Sequence, residues 1–172
     1  MKNKILNLIF VFNFGLKFFF LFLLILINNQ FIFQELSENE YHYLDFIFQF
    51  TNYHYNSSPE NFKKYLLNMQ QNKLGKIIVL KEKESNKIIG AGTILILHKI
   101  HNNPIGEIHD VFIDEAYRKL GLGKKIIEYL TNMGLKDFNC YKIILNCLDH
   151  NISFYEKCDF QKVGNEMRYL NK

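Results

Sequence analysis

Arg118-Lys-Leu-Gly-Leu-Gly123 is the stretch on which the reading of this chain turns. Glycines at 121 and 123 allow the backbone to approach a ligand closely. Behind them, Ile126, Ile127, Leu130 and Met133 recur at helical spacing, which predicts an amphipathic helix from about Lys124 to Lys136. Ahead of them, Gly106 to Ile113 has strand character. A helix entered through such a loop presents unpaired N–H groups and the positive end of its dipole, an arrangement suited to phosphate. The Lys-Ser/Thr ending of a P-loop is missing, and the spacing is not that of the dinucleotide G-x-G-x-x-G fingerprint. A glycine-rich helix entry by itself is often only a tight turn. Its position between a strand and an amphipathic helix is what favours a phosphate cradle.

Working outward toward the N-terminus, Lys87 to Leu97 and Lys76 to Lys81 are β-rich runs separated by the polar turn Glu82 to Asn86, and predict an antiparallel hairpin. Ser57-Ser58-Pro59-Glu60 starts a helix with proline in its first turn, carrying Phe62, Tyr65, Leu66 and Met69 on one face and ended by Gly75. Phe31 to Leu36 reads as a strand, and Ser37 followed by Glu40 is a capping-box signal for a helix over roughly 38–50. Toward the C-terminus, Tyr141 to Cys147 is an apolar strand, Asn151 to Lys157 a short helix, and Phe160 to Leu170 one or two closing strands. The expected fold is a single α+β domain over residues 31–172, with a central mixed, mostly antiparallel sheet flanked by helices.

Composition narrows the function classes. A chain of 172 residues with 48% hydrophobic and 22% charged residues can bury a real core. The net charge of +4 is mild and unclustered, which speaks against nucleic acid and suits a small anionic ligand. Three cysteines, Cys140, Cys147 and Cys158, lack C-x-x-C spacing, so neither a disulfide framework nor a metal site is expected, and burial is the default for each. Residues 1–30 form an apolar leader. From Ile5 to Ile27 it has about the length of a membrane span, although Lys17 in its middle costs roughly 2.5–3.5 kcal/mol on insertion scales. A membrane anchor, a signal peptide lacking a good cleavage site, and a leader lying at a membrane surface or absent from the mature protein all remain open. Three unpaired cysteines favour cytoplasmic function, with membrane association through residues 5–27 left open.

Placed after a strand and before a helix, Arg118-x-x-Gly121-x-Gly123 resembles the R/Q-x-x-G-x-G/A loop by which GNAT enzymes bind the pyrophosphate of acetyl-CoA. Asn139-Cys-Tyr-Lys-Ile-Ile-Leu-Asn-Cys147, followed by Asn151-Ile-Ser-Phe-Tyr-Glu-Lys-Cys158, resembles the strand and short helix of the glucosamine-6-phosphate N-acetyltransferases within that superfamily. The likeness covers roughly residues 88–168 by motif and 31–87 by order of elements, and leaves out residues 1–30. It implies acetyl-CoA as co-substrate, no metal, glucosamine 6-phosphate as acceptor and a homodimer.

Acetyl transfer needs a neutral amine, a thioester held in line, polarisation of the oxyanion and an acid for the departing thiolate. The resemblance supplies a candidate for each part. Tyr155 stands where the family has its tyrosine beside the coenzyme sulfur. Gly106-Glu-Ile-His-Asp-Val111 matches the family's G-x-I-E-D segment, whose acidic pair faces the amino sugar; Asp110 is retained and His109 stands in place of the glutamate. Imidazole titrates near neutrality, so His109 is a candidate base, as well as a candidate structural residue. The backbone carbonyl of Asn146 is the implied contact to the amine. Val111, Phe112 and Ile113 are the implied partners of the pantetheine arm, Arg118, Lys119, Leu120, Gly121, Leu122, Gly123 and Lys124 those of the pyrophosphate, and Asn151 a further contact to the arm. For the sugar phosphate, Thr51, His98 and Lys99 match the family's positions approximately. Arg168 sits two residues before the family's arginine, on the same strand face, and is the candidate contributed by the partner subunit. Two other readings stand beside this one: a GNAT enzyme acting on a protein or another small-molecule amine, and a membrane module that binds acyl-CoA without catalysis.

Overall fold

The computed structural model describes residues 30–43, 58–101 and 103–164. Five strands form one sheet in sequence order: β1 (Phe31–Glu35), β2 (Gly75–Glu82), β3 (Ile88–Leu97), β4 (Ile105–Ile113) and β5 (Lys142–Leu145). β1 to β4 pair antiparallel and β4 pairs parallel with β5. The expected hairpin is therefore β2–β3, and the expected mixed, mostly antiparallel sheet is present. Helix α1 (Pro59–Gln71) lies between β1 and β2 in sequence, α2 (Leu122–Lys136) makes the crossover from β4 to β5, and α3 (Ile152–Glu156) follows β5.

The sheet has two apolar faces, each with its own helix. On one, Ile78, Leu80, Ile89, Ile94, Ile96 and Ile108 meet Leu122, Ile126, Ile127, Leu130 and Met133 of α2. On the other, Ile77, Val79, Ile88 and Ala91 meet Phe62, Leu66 and Met69 of α1, together with Leu36 and Tyr43. The helical spacing read in α2 is thus the buried face itself. In α1 the Ser58 hydroxyl accepts from the Asn61 amide at 3.2 Å and Pro59 sits in the first turn, as the sequence signals require. Tyr65, expected on the buried face, is half exposed at its edge. Gly75 does not end α1; Asn72 and Lys73 close it, and Gly75 is already the first residue of β2.

Only the acidic half of the capping box is formed, because the Glu40 amide donates to the Ser37 carbonyl at 3.1 Å and not to its hydroxyl. The Ser37 amide and hydroxyl both donate to a Glu40 carboxylate oxygen, at 2.9 and 3.0 Å. The other Glu40 oxygen takes the buried ammonium of Lys81 from β2, which also donates to Gln34. The chain after β1 is thereby tied to the sheet. Residues 38–42 form turns, not the first turns of the helix expected over 38–50, and the rest of that expectation, from residue 44 on, lies outside the described residues.

Two strand expectations change. β5 is shorter than Tyr141 to Cys147, because its pairing with β4 stops at Ile108↔Leu145. No strand forms over residues 160–164, and the rest of the expected closing strand, like the leader 1–29, lies outside the described residues. Among the described residues no helix is long and apolar enough to cross a membrane.

Candidate active site

A single extra residue in β4 organises the site. Ala91 pairs with Phe112 and Thr93 with His109, so two steps along β3 correspond to three along β4. This is a β-bulge, and Asp110 within it has φ 51, the left-handed region where aspartate is among the few side chains tolerated. The bulge shifts the strand's alternation. Ile108 faces the α2 core, yet so do Val111 and Ile113, while Phe112 packs on the α1 side. The strands also part here. β5 pairs with β4 only from Ile105 to Ile108, so Phe112 and Ile113 keep their β3 partners while Val111 to Ile113 have no β5 neighbour. A bulge that terminates pairing in this way leaves one edge of β4 open for an extended ligand.

Asn146 is the first residue beyond the last β4–β5 pair, level with His109 across the opening. The opening also lies close to α3, where Tyr155 is half buried against the α2 core, edge-on to Phe154 and Phe160 with centroids 5.0 and 6.3 Å away. Burial, with smaller contributions from the Cys147 and Cys158 thiols, pushes the Tyr155 hydroxyl above its usual range. Tyr155 therefore holds its proton at neutral pH, as a proton donor must. Cys140 and Cys158 are buried as expected, and burial raises both thiols; Cys147 is exposed, because β5 has ended before it.

At the far end of β4 the glycine loop enters α2. Gly121 is the N-cap, at φ 76, and has no side chain to cap the first-turn amides. A Cβ there would meet nothing within 4 Å; the backbone conformation, and not space, selects glycine. Gly123 differs. A Cβ on it would stand 3.3 Å from the Phe154 ring, so its glycine lets α3 close onto α2. The sequence reading gave both glycines to the ligand; the structure adds a packing role for Gly123, whose amide stays in the first turn. Leu122, among the expected loop contacts, is buried in the core, and only its backbone can serve a ligand. Lys119, Leu120 and Lys124 are exposed, with Lys124 donating to the Lys157 carbonyl at 2.8 Å. Arg118 folds back: its Nε donates to the Ile113 carbonyl at 3.2 Å and its Nη1 pairs with Glu115 at 3.0 Å. It fastens the loop to the end of β4. Asn151 is exposed at the N-cap of α3, where its side chain makes no capping hydrogen bond.

Around the bulge, polar side chains gather on the α1 side. The Tyr43 hydroxyl is buried beside Thr93, and burial, followed by the nearby Asp110 charge, pushes it far upward. The Thr93 hydroxyl is itself buried and lacks a partner with hydrogen-bond geometry among the described residues. His109 Nε2 stands 3.3 Å from a Glu107 oxygen. Tyr43, Thr93 and Glu107 had no place in the sequence reading. The i, i+2 spacing of Glu107 and His109 was the available signal for one of them.

His98 and Lys99 are not brought to this site within the chain. They follow β3, five and six residues from Thr93, roughly 17–20 Å of strand at the usual rise per residue. Thr51 and Arg168 lie outside the described residues. Among the described residues no group of acidic, histidine and cysteine side chains could hold a metal.

The model of the acetyltransferase (GNAT) family matches residues 33–160. The glucosamine 6-phosphate N-acetyltransferase 1 of Dictyostelium discoideum is 40% identical over 93 residues, 53% of this chain and 59% of that protein. The glucosamine 6-phosphate N-acetyltransferase of Arabidopsis thaliana is 39% identical over 93 residues, covering 53% and 62%. The chain thus spans about three fifths of the length of these curated relatives. Among solved structures, the crystal structure of glucosamine-6-phosphate N-acetyltransferase from Arabidopsis thaliana superposes with a TM-score of 0.73 at 28% identity, over 83% of this chain and 99% of that one.

Proposed function

The chain belongs to the GNAT acetyltransferase family, and from that premise we propose that it transfers the acetyl group of acetyl-CoA to the amino group of glucosamine 6-phosphate. The observation that carries the reading is the parting of β4 and β5 at the bulge, with the glycine loop beyond the end of β4 and Asp110, His109 and Asn146 beside the bulge. The acceptor assignment rests on the likeness to the two glucosamine 6-phosphate N-acetyltransferases.

In this reading the pyrophosphate takes the amides from Gly121 to Lys124, where the helix dipole favours negative charge. The pantetheine arm pairs with the open edge of Val111 to Ile113, as an added strand would. The thioester then lies at the bulge. His109 first takes a proton from the substrate ammonium, and the lone pair of the neutral amine attacks the carbonyl carbon. As the tetrahedral intermediate collapses, the C–S bond breaks, Tyr155 donates its proton to the thiolate, and the second proton released by the nitrogen returns the tyrosine to its neutral form. The Asn146 carbonyl and Asp110 orient the amine. Arg118 acts by holding the loop, and Asn151 borders the coenzyme arm.

The sugar phosphate needs positive charge from beyond the bulge. His98 and Lys99 stand too far along the hairpin to serve their own subunit's bulge, so this reading draws phosphate ligands from a second subunit of a homodimer, Arg168 among them, with Thr51 from the same chain. The site of action we infer is the cytoplasm, where acetyl-CoA is made available, with residues 5–27 the candidate membrane contact. Full-length protein with acetyl-CoA and a panel of amines, read by thiol release, tests the assignment. Strong preference for glucosamine 6-phosphate over glucosamine and peptide amines is expected; preference for another amine overturns the acceptor and leaves the chemistry.

A further inference from the structure

The acidic pair expected at the bulge is broken, because His109 occupies the glutamate's place. A carboxylate is nevertheless present two residues earlier. Glu107 and His109 share a face of β4, since residues two apart in a strand point the same way, and their side chains meet across 3.3 Å, Nε2 to Oε1. The Glu107 side chain is only 18% exposed and that of His109 39%, so the carboxylate is the sheltered member and the imidazole the one open to a ligand. The contact is within hydrogen-bond distance but is not aligned as a hydrogen bond, a looseness common in ligand-free sites.

We infer that Glu107 is a positioning residue for His109, and that the two together replace the missing glutamate as the base that receives the amine's proton. The inference rests on the acetyl-transfer reading above. Directing Nε2–H at Glu107 fixes the imidazole tautomer and leaves Nδ1 as the proton acceptor. When the substrate ammonium gives up its proton, Nδ1–H forms, the N–H bond of the ammonium breaks, and the positive charge now on the ring lies against the Glu107 carboxylate. No other reactant is needed. The carboxylate has been moved along the strand by two residues, and the imidazole spans the difference. Leu95 and Thr93, the β3 partners of Glu107 and His109, supply no competing charge. Tyr43 and Asp110 complete the polar surroundings on that side.

The test is a double-mutant cycle on the full-length chain. Glu107→Gln keeps shape and removes charge; it is expected to lower kcat about ten- to a hundredfold with KM for both substrates little changed, within the range of general-base effects. His109→Ala should lose at least as much. The combined variant should be no worse than His109→Ala, because a residue that acts only through another adds nothing once that other is gone. Wild-type turnover in Glu107→Gln, or a second full loss on top of His109→Ala, overturns the inference. Exchanging the pair, Glu107→His with His109→Glu, keeps both groups on the same face and should recover most of the activity, which separates loss of the base from loss of the fold. If wild type ignores glucosamine 6-phosphate and turns over another amine, the acceptor reading fails, and the same cycle run on that amine still decides this one. The 15N spectrum of neutral His109 needs no substrate: the Nε2–H tautomer should dominate in wild type and lose its advantage in Glu107→Leu. A dominant Nδ1–H form in wild type overturns the inference.

Discussion

Gly121 illustrates how one residue's backbone can set a binding constant. Its φ of 76 is unstrained for glycine and costs other residues about 1–2 kcal/mol, more when the side chain is β-branched. Gly121→Val should therefore disturb the loop without a clash, and the apparent constant for acetyl-CoA should rise about tenfold while that for the sugar stays near wild type. Equal damage to both constants, measured by initial rates, would separate the loop from the coenzyme. Tyr155→Phe tests the leaving-group step. It removes one hydroxyl from a ring that keeps its contacts with Phe154 and Phe160, so kcat should fall by about a hundredfold, the scale of general-acid catalysis, with coenzyme binding unchanged. Unchanged turnover with chemistry rate-limiting would remove Tyr155 from the mechanism.

Elements are held by fewer contacts than their length suggests, and the Glu40–Lys81 pair is one on which several depend. Lys81 is 3% exposed, and its carboxylate partner also caps the Ser37 turn. Burial pushes the Glu40 carboxyl up, but the Lys81 ammonium and the Ser37 amide and hydroxyl outweigh it and leave the group below its ordinary range. A folded value lower than the unfolded one, about 4.3, means that the pair's stabilisation is complete above that pH and is lost as pH falls through the folded value. Glu40→Gln strands a buried ammonium, and a broken buried pair typically costs about 3–5 kcal/mol. Urea unfolding at pH 7 should show that loss. Repeated at successively lower pH, the gap between Glu40→Gln and wild type should narrow below pH 4.3; a constant gap would mean that Glu40 acts by shape alone.

At the scale of the whole molecule the open question is how a small acceptor reaches positive charge. His98 and Lys99 lie roughly 17–20 Å of strand from the bulge, and in the proposed homodimer Arg168 completes the phosphate site of its partner. Losing a bidentate guanidinium–phosphate contact costs about 1.5–3 kcal/mol, so Arg168→Ala should weaken use of glucosamine 6-phosphate roughly ten- to a hundredfold and leave glucosamine untouched. Mixing Arg168→Ala chains with Tyr155→Phe chains should restore activity through one intact site per mixed dimer. Subunit exchange without recovery would place Arg168 outside the partner's site.

Sequence alone was enough for the order of β2 to β5 and their helices, the buried face of α2, the Ser37–Glu40 contact and the glycine loop before a helix, because each is a local pattern written at fixed spacing. It also led to Tyr155, Asp110 and His109, since each sits in a motif that can be matched residue by residue. What needed the tertiary structure was everything that depends on two strands at once. No property of Glu107-Ile-His-Asp110 taken alone announces a bulge; it appears when three residues of β4 must answer two of β3. From that mismatch follow the early end of β5, the exposure of Cys147, and the shift that sends Val111 and Ile113 to the α2 face. Likewise, Gly123 looks identical to Gly121 in sequence, and only the Phe154 ring, brought from 31 residues away, distinguishes helix packing from ligand approach. Local spacing is decided by bonds along the chain, whereas register and close approach are decided by what the rest of the chain lays against it.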